Sequence, residues 1–401
     1  MSIPCNLILK PGEADRLLAG HPWIYEKSIH KITHPANDGD VVQVKDHKTR
    51  FIGIGFFNTR SRIRFRMLSR ERREIDQRFF EERIRAALAV RKRNLPNATS
   101  FRVVNSESDF LSGLIVDKYN DVLVLQASSL GMDQRKPMIC AALKKIFSPQ
   151  AIVERSDGAS RKFEGLESSS GIVSGDLPET VTITLNDLQF ETDLLNGHKT
   201  GMYLDQQTNY RQVAELISHY ANPRVLDCFT FSGGFAIHAA RAGAQVLAID
   251  QSEEAVAAAK RNAGLNQISE RCTFESANVF DWLKAHTAKS ETQHIEPFDC
   301  IILDPPSFTR NRASVPDALR GYKEIHLRAL KLLKPGGMLA TFCCSHHVDS
   351  NLFESVILDA AFDTRKQLRR IASFSQSLDH PIIPSIPETE YLKGFAFELA
   401  E

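Results

Sequence analysis

Residues 225–250, VLDCFTFSGGFAIHAARAGAQVLAID, decide the fold of this chain. Their apolar ends predict two short buried strands, and the middle predicts a glycine-containing turn followed by a helix. A strand, a turn, a helix and a parallel strand form one half of a doubly wound sheet. Such sheets bind ligands beyond the carboxyl ends of their strands. We therefore expect an α/β domain with a binding site around this turn.

Four residues of this stretch are candidates for contacting a nucleotide-like ligand. Gly233 and Gly234 have no Cβ atom, so their backbone can approach a ligand closely. Asp250 ends the second strand, where a carboxylate can accept hydrogen bonds from two ribose hydroxyls. Asp227 precedes the glycines and would repel a pyrophosphate. These features favour a ligand with a ribose and no phosphate, such as S-adenosylmethionine, over a dinucleotide or a purely structural unit.

Length and composition set the outer limits of the interpretation. A chain of 401 residues predicts two or three domains, and 42% hydrophobic with 25% charged residues is an ordinary globular balance. A net charge of +1 excludes a general polycation, so any nucleic-acid surface must be local. Seven cysteines without a C-x-x-C pair, no signal peptide and no membrane span predict a soluble cytoplasmic protein with reduced thiols.

The first predicted domain, residues 1–70, has short strands separated by turns, which is typical of a small β-barrel. Residues 59–67 are predicted as its last strand, and alternation places four arginines on one face: Arg60, Arg62, Arg64 and Arg66. We expect these guanidinium groups to face water or phosphate. A solvated face with scattered ion pairs and a phosphate-binding rim both fit this pattern.

The second predicted domain, residues 71–175, is a small α+β domain without an obvious catalytic cluster. A helical period covers residues 78–93, and residues 167–171 have the composition of a linker or turn. The third predicted domain, residues 176–401, begins with a hairpin through Asn186 and Asp187 and contains the doubly wound sheet.

A polar loop at residues 197–207 precedes a predicted amphipathic helix and the first strand of that sheet. This loop is placed to close over the ligand, with Tyr203 packing on it and Asp205 contacting its amine end. A surface loop with a core tyrosine explains the same spacing equally well.

Two later strands of the third domain end in polar residues. Asn278 follows one of them, where its amide can hydrogen-bond an adenine ring or form a turn. Residues 298–303 predict a central buried strand that delivers Asp304, Pro305 and Pro306 to the substrate crevice. Ser307 follows the prolines, where enzymes that methylate exocyclic amines commonly have an aromatic residue, so the pattern argues against that subclass.

Cys343 and Cys344 end the next predicted strand, and alternation turns one thiol into the sheet and the other toward the crevice. A thiolate can add to C6 of a pyrimidine and make C5 nucleophilic, while Asp304 assists at N3. Two inert thiols are the ordinary alternative. A zinc site with His346 and His347 is disfavoured, because four such close neighbours cannot surround one ion without strain.

Motifs along nearly the whole chain resemble the ribosomal RNA large subunit methyltransferase I family. Residues 17–25 and 53–58 resemble a PUA domain, which is a small RNA-binding barrel. The other matching motifs are residues 113–119 (GLIVDKY), 199–206 (KTGMYLDQ), 231–235 (FSGGF), 304–308 (DPPSF), 321–324 (GYKE), 341–345 (TFCCS) and 387–394 (PETEYLKG).

The resemblance implies a class I (Rossmann-like) methyltransferase domain that uses S-adenosylmethionine to form 5-methylcytosine in 23S ribosomal RNA. In this family the nucleophile is the cysteine of a Ser-Cys-Ser run, and the matching position here is Cys344. The resemblance therefore implies Cys344 as the nucleophile, with Asp304 as the second catalytic residue. The implied cofactor-binding residues are Thr200, Tyr203, Asp205, Asp227, Phe229, Gly233, Gly234, Asp250, Gln251, Asn278, Asp304 and Pro305. The implied RNA-binding residues are Arg60, Arg62, Arg64, Arg66, Phe308 and Lys323. No metal is implied, and a homodimer is compatible with the sequence.

The chain departs from the family pattern at Asn278, Ser307 and His326, where Asp, Lys and Asn are usual. The base that removes the C5 proton is unassigned, with His346, His380 and a water molecule as candidates. Two other functions stay open. One is a guanine-N7 methyltransferase, which needs no thiol, and the other is an RNA-binding assembly factor without catalysis.

Overall fold

The computed structural model of the protein describes residues 5–195, 197, 200–292, 296–309 and 311–400. The chain divides into two compact units. The first comprises Met1–Thr184, Thr192–Leu204 and Leu378–Thr389, and the second comprises Leu185–Glu191, Asp205–Ser377 and Glu390–Glu401. The three predicted domains, with boundaries at residues 70 and 175, remain a prediction.

The first unit begins with a six-stranded sheet. Its elements are β1 (Asn6–Leu9), α1 (Asp15–Leu18), β2 (Trp23–Tyr25), β3 (Ile29–Ile32), β4 (Val41–Lys45), β5 (Phe51–Phe57) and β6 (Ile63–Ser69). The hydrogen-bonded order is β2-β6-β5-β4-β1-β3, and β1 runs parallel to β4. Alternate residues point into one apolar core that contains Leu7, Val44 and Phe65.

The predicted arginine face is wrong in part. The strand begins at Ile63, so Arg60 and Arg62 lie in the preceding loop, where both are exposed. Arg64 pairs with Glu26 at 3.0 Å, and Arg66 pairs with Glu164 at 2.8 Å. These two arginines meet carboxylates instead of water, because the partners come from sequence positions that the strand pattern does not contain.

A second sheet follows in the same unit. Its elements are α2 (Gln77–Asn94), β7 (Ser100–Asn105), β8 (Leu114–Tyr119), β9 (Val122–Ala127), α3 (Leu130–Gln134), α4 (Lys136–Phe147), β10 (Ala151–Ser156) and β11 (Ser169–Gly175). The strand order is β11-β10-β9-β8-β7, and α2 buries Phe79, Phe80 and Ile84 in the core. The linker or turn predicted at residues 167–171 is wrong from Ser169 onward, because β11 pairs with β10 through its backbone and needs no apolar pattern.

The rest of the chain contributes a hairpin and a seven-stranded sheet. The elements are β12 (Val181–Leu185), β13 (Leu188–Thr192), α5 (Gln207–Ile217), β14 (Arg224–Cys228), α6 (Gly234–Arg241), β15 (Gln245–Asp250), α7 (Glu253–Leu265), β16 (Cys272–Ser276), α8 (Val279–Thr292), β17 (Phe298–Leu303), α9 (Val315–Leu332), β18 (Leu333–Cys343), α10 (Ser350–Thr364), β19 (Leu368–Ser375) and β20 (Lys393–Leu399). Asn186 and Asp187 form the hairpin turn with left-handed backbone, as their sequence predicts.

The seven-stranded sheet confirms the predicted α/β fold. Its order is β16-β15-β14-β17-β18-β20-β19. The first five strands are parallel, and β20 runs antiparallel to both of its neighbours, β18 and β19. The chain moves outward from β14 to β16 and then returns to the other side of β14 with β17. The order therefore reverses between β14 and β17, which is where doubly wound sheets bind their ligands.

Gly234 has a different role from the one its sequence position predicts. A Cβ atom at Gly234 would lie 2.5 Å from Cζ of Tyr210, which is the side chain of α5 packed against the start of α6. The missing Cβ atom therefore makes room for the Tyr210 ring. Gly233 has a φ angle of +89°, a left-handed conformation that favours glycine, and it precedes the first residue of α6.

Replacing Gly234 with alanine is expected to lower the free energy of unfolding by about 1–3 kcal/mol, because the Tyr210 ring must move. Urea unfolding followed by circular dichroism measures this change. Gly264 in α7 is the matched control, since an added Cβ atom meets only Ser269 Oγ at 3.8 Å. Gly264→Ala should be neutral or stabilising, and equal destabilisation of both variants would contradict the packing argument.

Candidate active site

The carboxyl edge of the parallel strands collects the predicted catalytic and binding residues of the second unit. Asp227 lies at the end of β14 and Asp250 at the end of β15, while Asp304 follows β17 and Cys344 follows β18. Because parallel strands end at the same edge of a sheet, residues far apart in sequence share one site.

Asp227 is a fully buried carboxyl group at the centre of this edge. Burial raises its pKa to about 7, the Thr230 hydroxyl and the Ala236 N–H act to lower it, and the neighbouring carboxyl groups of Asp304 and Asp250 act to raise it. Thr230 donates to Oδ2 at 2.6 Å. Within the described part of the chain, Oδ1 is a buried oxygen without a hydrogen-bond partner of normal geometry. This orphaned acceptor fits a bound cationic or hydrogen-donating ligand.

The shifted pKa of Asp227 predicts a pH dependence of stability for the protein without ligand. An unfolded aspartate titrates near 4, so the stabilisation from this raised pKa is complete below about pH 4 and is lost as the pH rises to 7. Relative to Asp227→Asn, the wild type should lose about 1.4 kcal/mol per pH unit between pH 5 and 7. Urea unfolding of both proteins across this range measures the difference, and parallel curves would contradict the assigned pKa.

The loop after β14 is held by Asp250 in an unusual backbone conformation. Phe229 and Phe231 have φ angles of +66° and +50°, which is the left-handed region that non-glycine residues rarely occupy. The Phe231 N–H donates to Asp250 Oδ2 at 3.0 Å, and the Ser252 N–H donates to Oδ1 at 2.9 Å. Each carboxylate oxygen can accept more than one hydrogen bond, so these contacts orient Asp250 and leave acceptor capacity for ribose hydroxyls.

Asn278 is exposed and lies between β16 and α8. Its Oδ1 accepts hydrogen bonds from the backbone N–H groups of Phe280 at 3.0 Å and Asp281 at 3.3 Å. This is the contact of a helix N-cap, in which Asn and Asp serve almost equally well. The departure from the family's usual Asp therefore preserves the local structure, and the contact with adenine remains a prediction.

Asp304 is held by a series of hydrogen bonds that the sequence pattern does not predict. Gln206 Nε2 donates to Asp304 Oδ1 at 3.0 Å, and Asn209 Nδ2 donates to Gln206 Oε1 at 2.6 Å. Asn209 Nδ2 also donates to the Ser375 carbonyl at 2.9 Å. Gln206 and Asn209 are buried, so these hydrogen bonds fix the carboxylate orientation. The only signal in the sequence is that Gln206 ends the polar loop motif.

Cys343 and Cys344 divide as alternation predicts. Cys343 ends β18 and is fully buried, whereas Cys344 follows the strand and is partly exposed. The next residue, Ser345, is hydrogen-bonded through its hydroxyl to Thr309 in the loop after Asp304. The loops that carry Asp304 and Cys344 are thereby joined.

Lys393, at the start of β20, fixes the loop that follows Cys344. It lies opposite Cys343 in the β18–β20 pairing, and its Nζ donates to the carbonyl groups of Ser345 and Val348, both at 2.6 Å. Burial lowers the pKa of Lys393, while charge on Cys343 and Cys344 acts to raise it. The lysine is therefore near enough to both thiols to interact with them electrostatically.

The remaining predicted cofactor residues fall in different places. Asp205 is buried and accepts a hydrogen bond from the Tyr391 hydroxyl at 2.8 Å, Pro305 is buried, and Gln251 is exposed. Phe229 is half-buried with its ring 6.4 Å from that of Phe280.

Thr200 and Tyr203 belong to the first unit. Thr200 is buried and donates to Asp117 at 2.6 Å, and its hydroxyl also bonds Tyr119 at 3.0 Å. Tyr203 is half-buried. The hydroxyl of Thr200 thus anchors its loop within the first unit, and a role of either residue in binding the cofactor remains a prediction.

The two predicted RNA-binding residues of the second unit have protein partners. Phe308 is partly buried, with its ring 4.7 Å from that of Tyr322 and 5.7 Å from that of Phe280. Lys323 forms an ion pair with Asp363 at 2.8 Å and is 37% exposed. Contact of these residues with RNA remains a prediction.

Three histidines that the sequence singles out lie in different environments. His326 is fully buried between the Tyr322 carbonyl and the Thr341 hydroxyl, and burial lowers its pKa to about 4, so it is a neutral structural residue. His346 is exposed, with its ring 5.6 Å from that of Tyr391. His380 is buried in the first unit beside Asp379, at 3.0 Å.

Among the residues that the structure describes, no cluster of three or more His, Cys, Asp or Glu side chains is arranged to hold a metal ion. The described helices include none with the length and apolar character that crossing a membrane requires.

Comparison with known proteins agrees with this geometry. Residues 7–70 match the family described as a PUA-like domain, and residues 160–375 match the S-adenosylmethionine-dependent methyltransferases. The ribosomal RNA large subunit methyltransferase I of Klebsiella pneumoniae (strain 342) is 37% identical over 397 residues, which cover 98% of this chain and 97% of the relative. That of Salmonella typhimurium is 37% identical, covering 98% of this chain and 96% of the relative.

Solved structures show the same fold. A proposed SAM-dependent methyltransferase from Streptococcus mutans superposes with a TM-score of 0.81 at 19% identity, covering 98% of this chain and 100% of that one. A SAM-dependent methyltransferase from Agrobacterium tumefaciens gives a TM-score of 0.51 at 15% identity, covering 72% of this chain and 88% of that one.

The sheet order, the acidic strand ends and these matches define an S-adenosylmethionine-dependent methyltransferase with an N-terminal PUA-like domain. Its cofactor is S-adenosylmethionine. The chain belongs to the ribosomal RNA large subunit methyltransferase I family, since the match to the curated relatives extends over 98% of its length.

Proposed function

We propose that this protein methylates C5 of a cytosine in 23S ribosomal RNA through a covalent bond between Cys344 and C6 of the base. The observation that carries the proposal is the position of Cys344. It is the partly exposed member of the cysteine pair and is joined through Ser345 to the loop of Asp304. Ribosomal RNA is the substrate named for the relatives, and we place the reaction in the cytoplasm, where ribosomes are assembled.

The second unit offers groups that fit the cofactor. The buried Asp227 with its orphaned Oδ1 suits the cationic amino-acid end, and Asp250 suits the ribose hydroxyls. Gly233, in its left-handed conformation, shapes the backbone turn between them. S-adenosylmethionine supplies an electrophilic methyl group when bound.

The chain's own residues account for the remaining chemistry. The thiolate of Cys344 adds to C6, which opens the 5,6 double bond and makes C5 a carbon nucleophile that takes the methyl group. Asp304, held by Gln206, donates a proton or hydrogen bond to N3 as electron density shifts there. A base then removes the C5 proton, any proton on N3 returns to Asp304, the C6–S bond breaks, and Cys344 leaves as a thiolate with the 5,6 double bond restored.

Lys393 supports the first of these steps. Its Nζ is hydrogen-bonded to the carbonyl group of Ser345, the residue after Cys344, so a positive charge on this amine lies where it can stabilise a negative charge that develops at the end of β18. Its two hydrogen bonds to carbonyl groups keep the charge beside the loop of Cys344.

The test is methylation of ribosomal RNA purified from cells that lack this gene. The protein is incubated with the RNA and S-adenosylmethionine, and the nucleosides are identified by mass spectrometry. New 5-methylcytosine is the expected result. New 7-methylguanine would overturn the cytosine proposal in favour of guanine-N7 chemistry. A protein whose melting temperature does not rise with saturating S-adenosylmethionine would favour an RNA-binding assembly factor.

A further inference from the structure

A pocket of about 310 Å³ in the first unit lies outside the candidate active site. It is formed where the loop before β6 meets the loop after β10, and its lining includes Tyr25, Arg62 and Phe163. Phe163 is 68% exposed and Tyr25 is 36% exposed. An exposed aromatic ring beside a pocket is typical of a binding surface, because a bound partner covers the ring and removes it from water.

We propose that this pocket receives an unpaired base of single-stranded RNA, stacked on Phe163, while Arg62 binds a neighbouring phosphate. The proposal rests on the function proposed above, because it assigns the pocket to the RNA substrate. The expected ligand has two chemical features, a flat aromatic base and the anionic backbone to which it is attached.

The charges around the pocket suit such an anion. Arg62 is exposed and has no ion-pair partner among the residues that the structure describes. Arg60 is 67% exposed, with only a 3.6 Å ion pair to Asp38, and its side chain packs on Gly165, where a Cβ atom would lie 2.4 Å from Arg60 Cδ. Lys162 is also exposed beside Phe163. Three cationic side chains thus lie along the loops that form the pocket.

The floor of the pocket is rigid. Glu164 is buried there and accepts hydrogen bonds from four donors, which are Asn58, Ser61, Arg66 and the backbone N–H of Leu130. Burial acts to raise the pKa of Glu164, but Arg66 and the other donors hold it below its ordinary value, so the carboxylate stays ionised. A fixed floor lets a base bind without first ordering the loops.

The lining favours single-stranded over double-stranded RNA. In a duplex the flat faces of the bases are covered by their neighbours, so Phe163 has no surface on which to stack. The serine hydroxyls of Ser128 and Ser160 also line the pocket and can hydrogen-bond the edge of an inserted base. Phosphate contacts alone would not require the aromatic side chains.

The experiment measures binding of a fluorescein-labelled oligouridylate of about twelve nucleotides to the full chain by fluorescence anisotropy. Phe163→Ala is expected to raise Kd roughly 5- to 100-fold, the range of one lost base–aromatic stack, whereas Phe163→Trp should stay within about three-fold of the wild type. The matched control is Phe362→Ala, which removes an 82% exposed phenylalanine from α10. Its Kd should equal that of the wild type.

A second probe locates the base. An oligouridylate with one 4-thiouridine is cross-linked by light, and the expected adduct maps to the peptides that contain Phe163 or Tyr25. Equal affinity of Phe163→Ala and the wild type, or no binding by the wild type, would overturn the proposal. So would an equal loss of affinity for a labelled RNA duplex, because duplex binding does not use stacking.

Failure of this proposal is distinguishable from failure of the proposed function. The rise in melting temperature with S-adenosylmethionine should be identical in Phe163→Ala and the wild type. Oligouridylate binding by a protein that does not respond to the cofactor would support the pocket proposal and contradict the proposed cytosine methylation. Full methylation of ribosomal RNA by Phe163→Ala, at unchanged KM, would contradict the proposed role of the pocket and leave the proposed methylation intact.

Discussion

Replacing Cys344 with alanine is expected to abolish formation of 5-methylcytosine, with a rate loss of at least roughly a thousand-fold. No other group in the proposed mechanism makes C5 nucleophilic, because the covalent bond to C6 is what opens the 5,6 double bond. The measurement is single-turnover methylation of ribosomal RNA at saturating S-adenosylmethionine. RNA containing 5-fluorocytidine adds a direct readout, since fluorine at C5 blocks the release step and traps the covalent complex.

Cys343→Ala is the matched control for this prediction. Cys343 is fully buried at the end of β18, so its replacement should lower stability by about 1 kcal/mol and leave both methylation and the trapped complex in place. A trapped complex that survives in Cys344→Ala and disappears in Cys343→Ala would transfer the nucleophilic role to the buried thiol. Normal methylation by both variants would rule out covalent catalysis by either cysteine.

Replacing Asp304 with alanine should slow the single-turnover rate by roughly 10²- to 10⁴-fold, the range of general acid catalysis. Asp304→Asn should lose less, because an amide N–H can still hydrogen-bond N3 but cannot supply a proton. Equal rates for Asp304→Ala and the wild type would show that N3 needs no assistance from this residue. The dissociation constant of S-adenosylmethionine, measured on the same variants, separates the rate effect from a cofactor-binding effect.

Gln206→Ala tests whether the orientation of Asp304 matters. The variant removes one hydrogen bond to a carboxylate that remains in place, so a loss of about ten-fold is expected. A loss as large as that of Asp304→Ala would assign Gln206 a direct role in the reaction.

The parts of the fold that depend on local pattern were predictable from the sequence. Alternation and turn chemistry predict the short apolar strand at Val225, the left-handed turn at Asn186 and the unequal burial of the two neighbouring cysteines. Which of the two cysteines is the exposed one did not follow from alternation. The carboxyl-edge positions of Asp250 and Asp304 follow in turn from the parallel connection of the strands.

The features that the sequence did not reveal depend on distant partners. Arg66 meets Glu164 from 98 positions away, and Gln206 reaches Asp304 across the same number of positions. Gly234 is read locally as an open turn, but Tyr210 of another helix fills the space. A single sequence shows which side chains are available, whereas the tertiary fold decides which of them are already paired.

The last strand of the chain has a consequence for synthesis. β20 lies inside the seven-stranded sheet, between β18 and β19, and it carries the lysine that fixes the loop of Cys344. During translation the second unit can therefore not complete its sheet until residues 393–399 have left the ribosome. A chain released before that point would contain both cysteines and the three aspartates at the carboxyl edge. It would lack β20, the strand that joins β18 to β19.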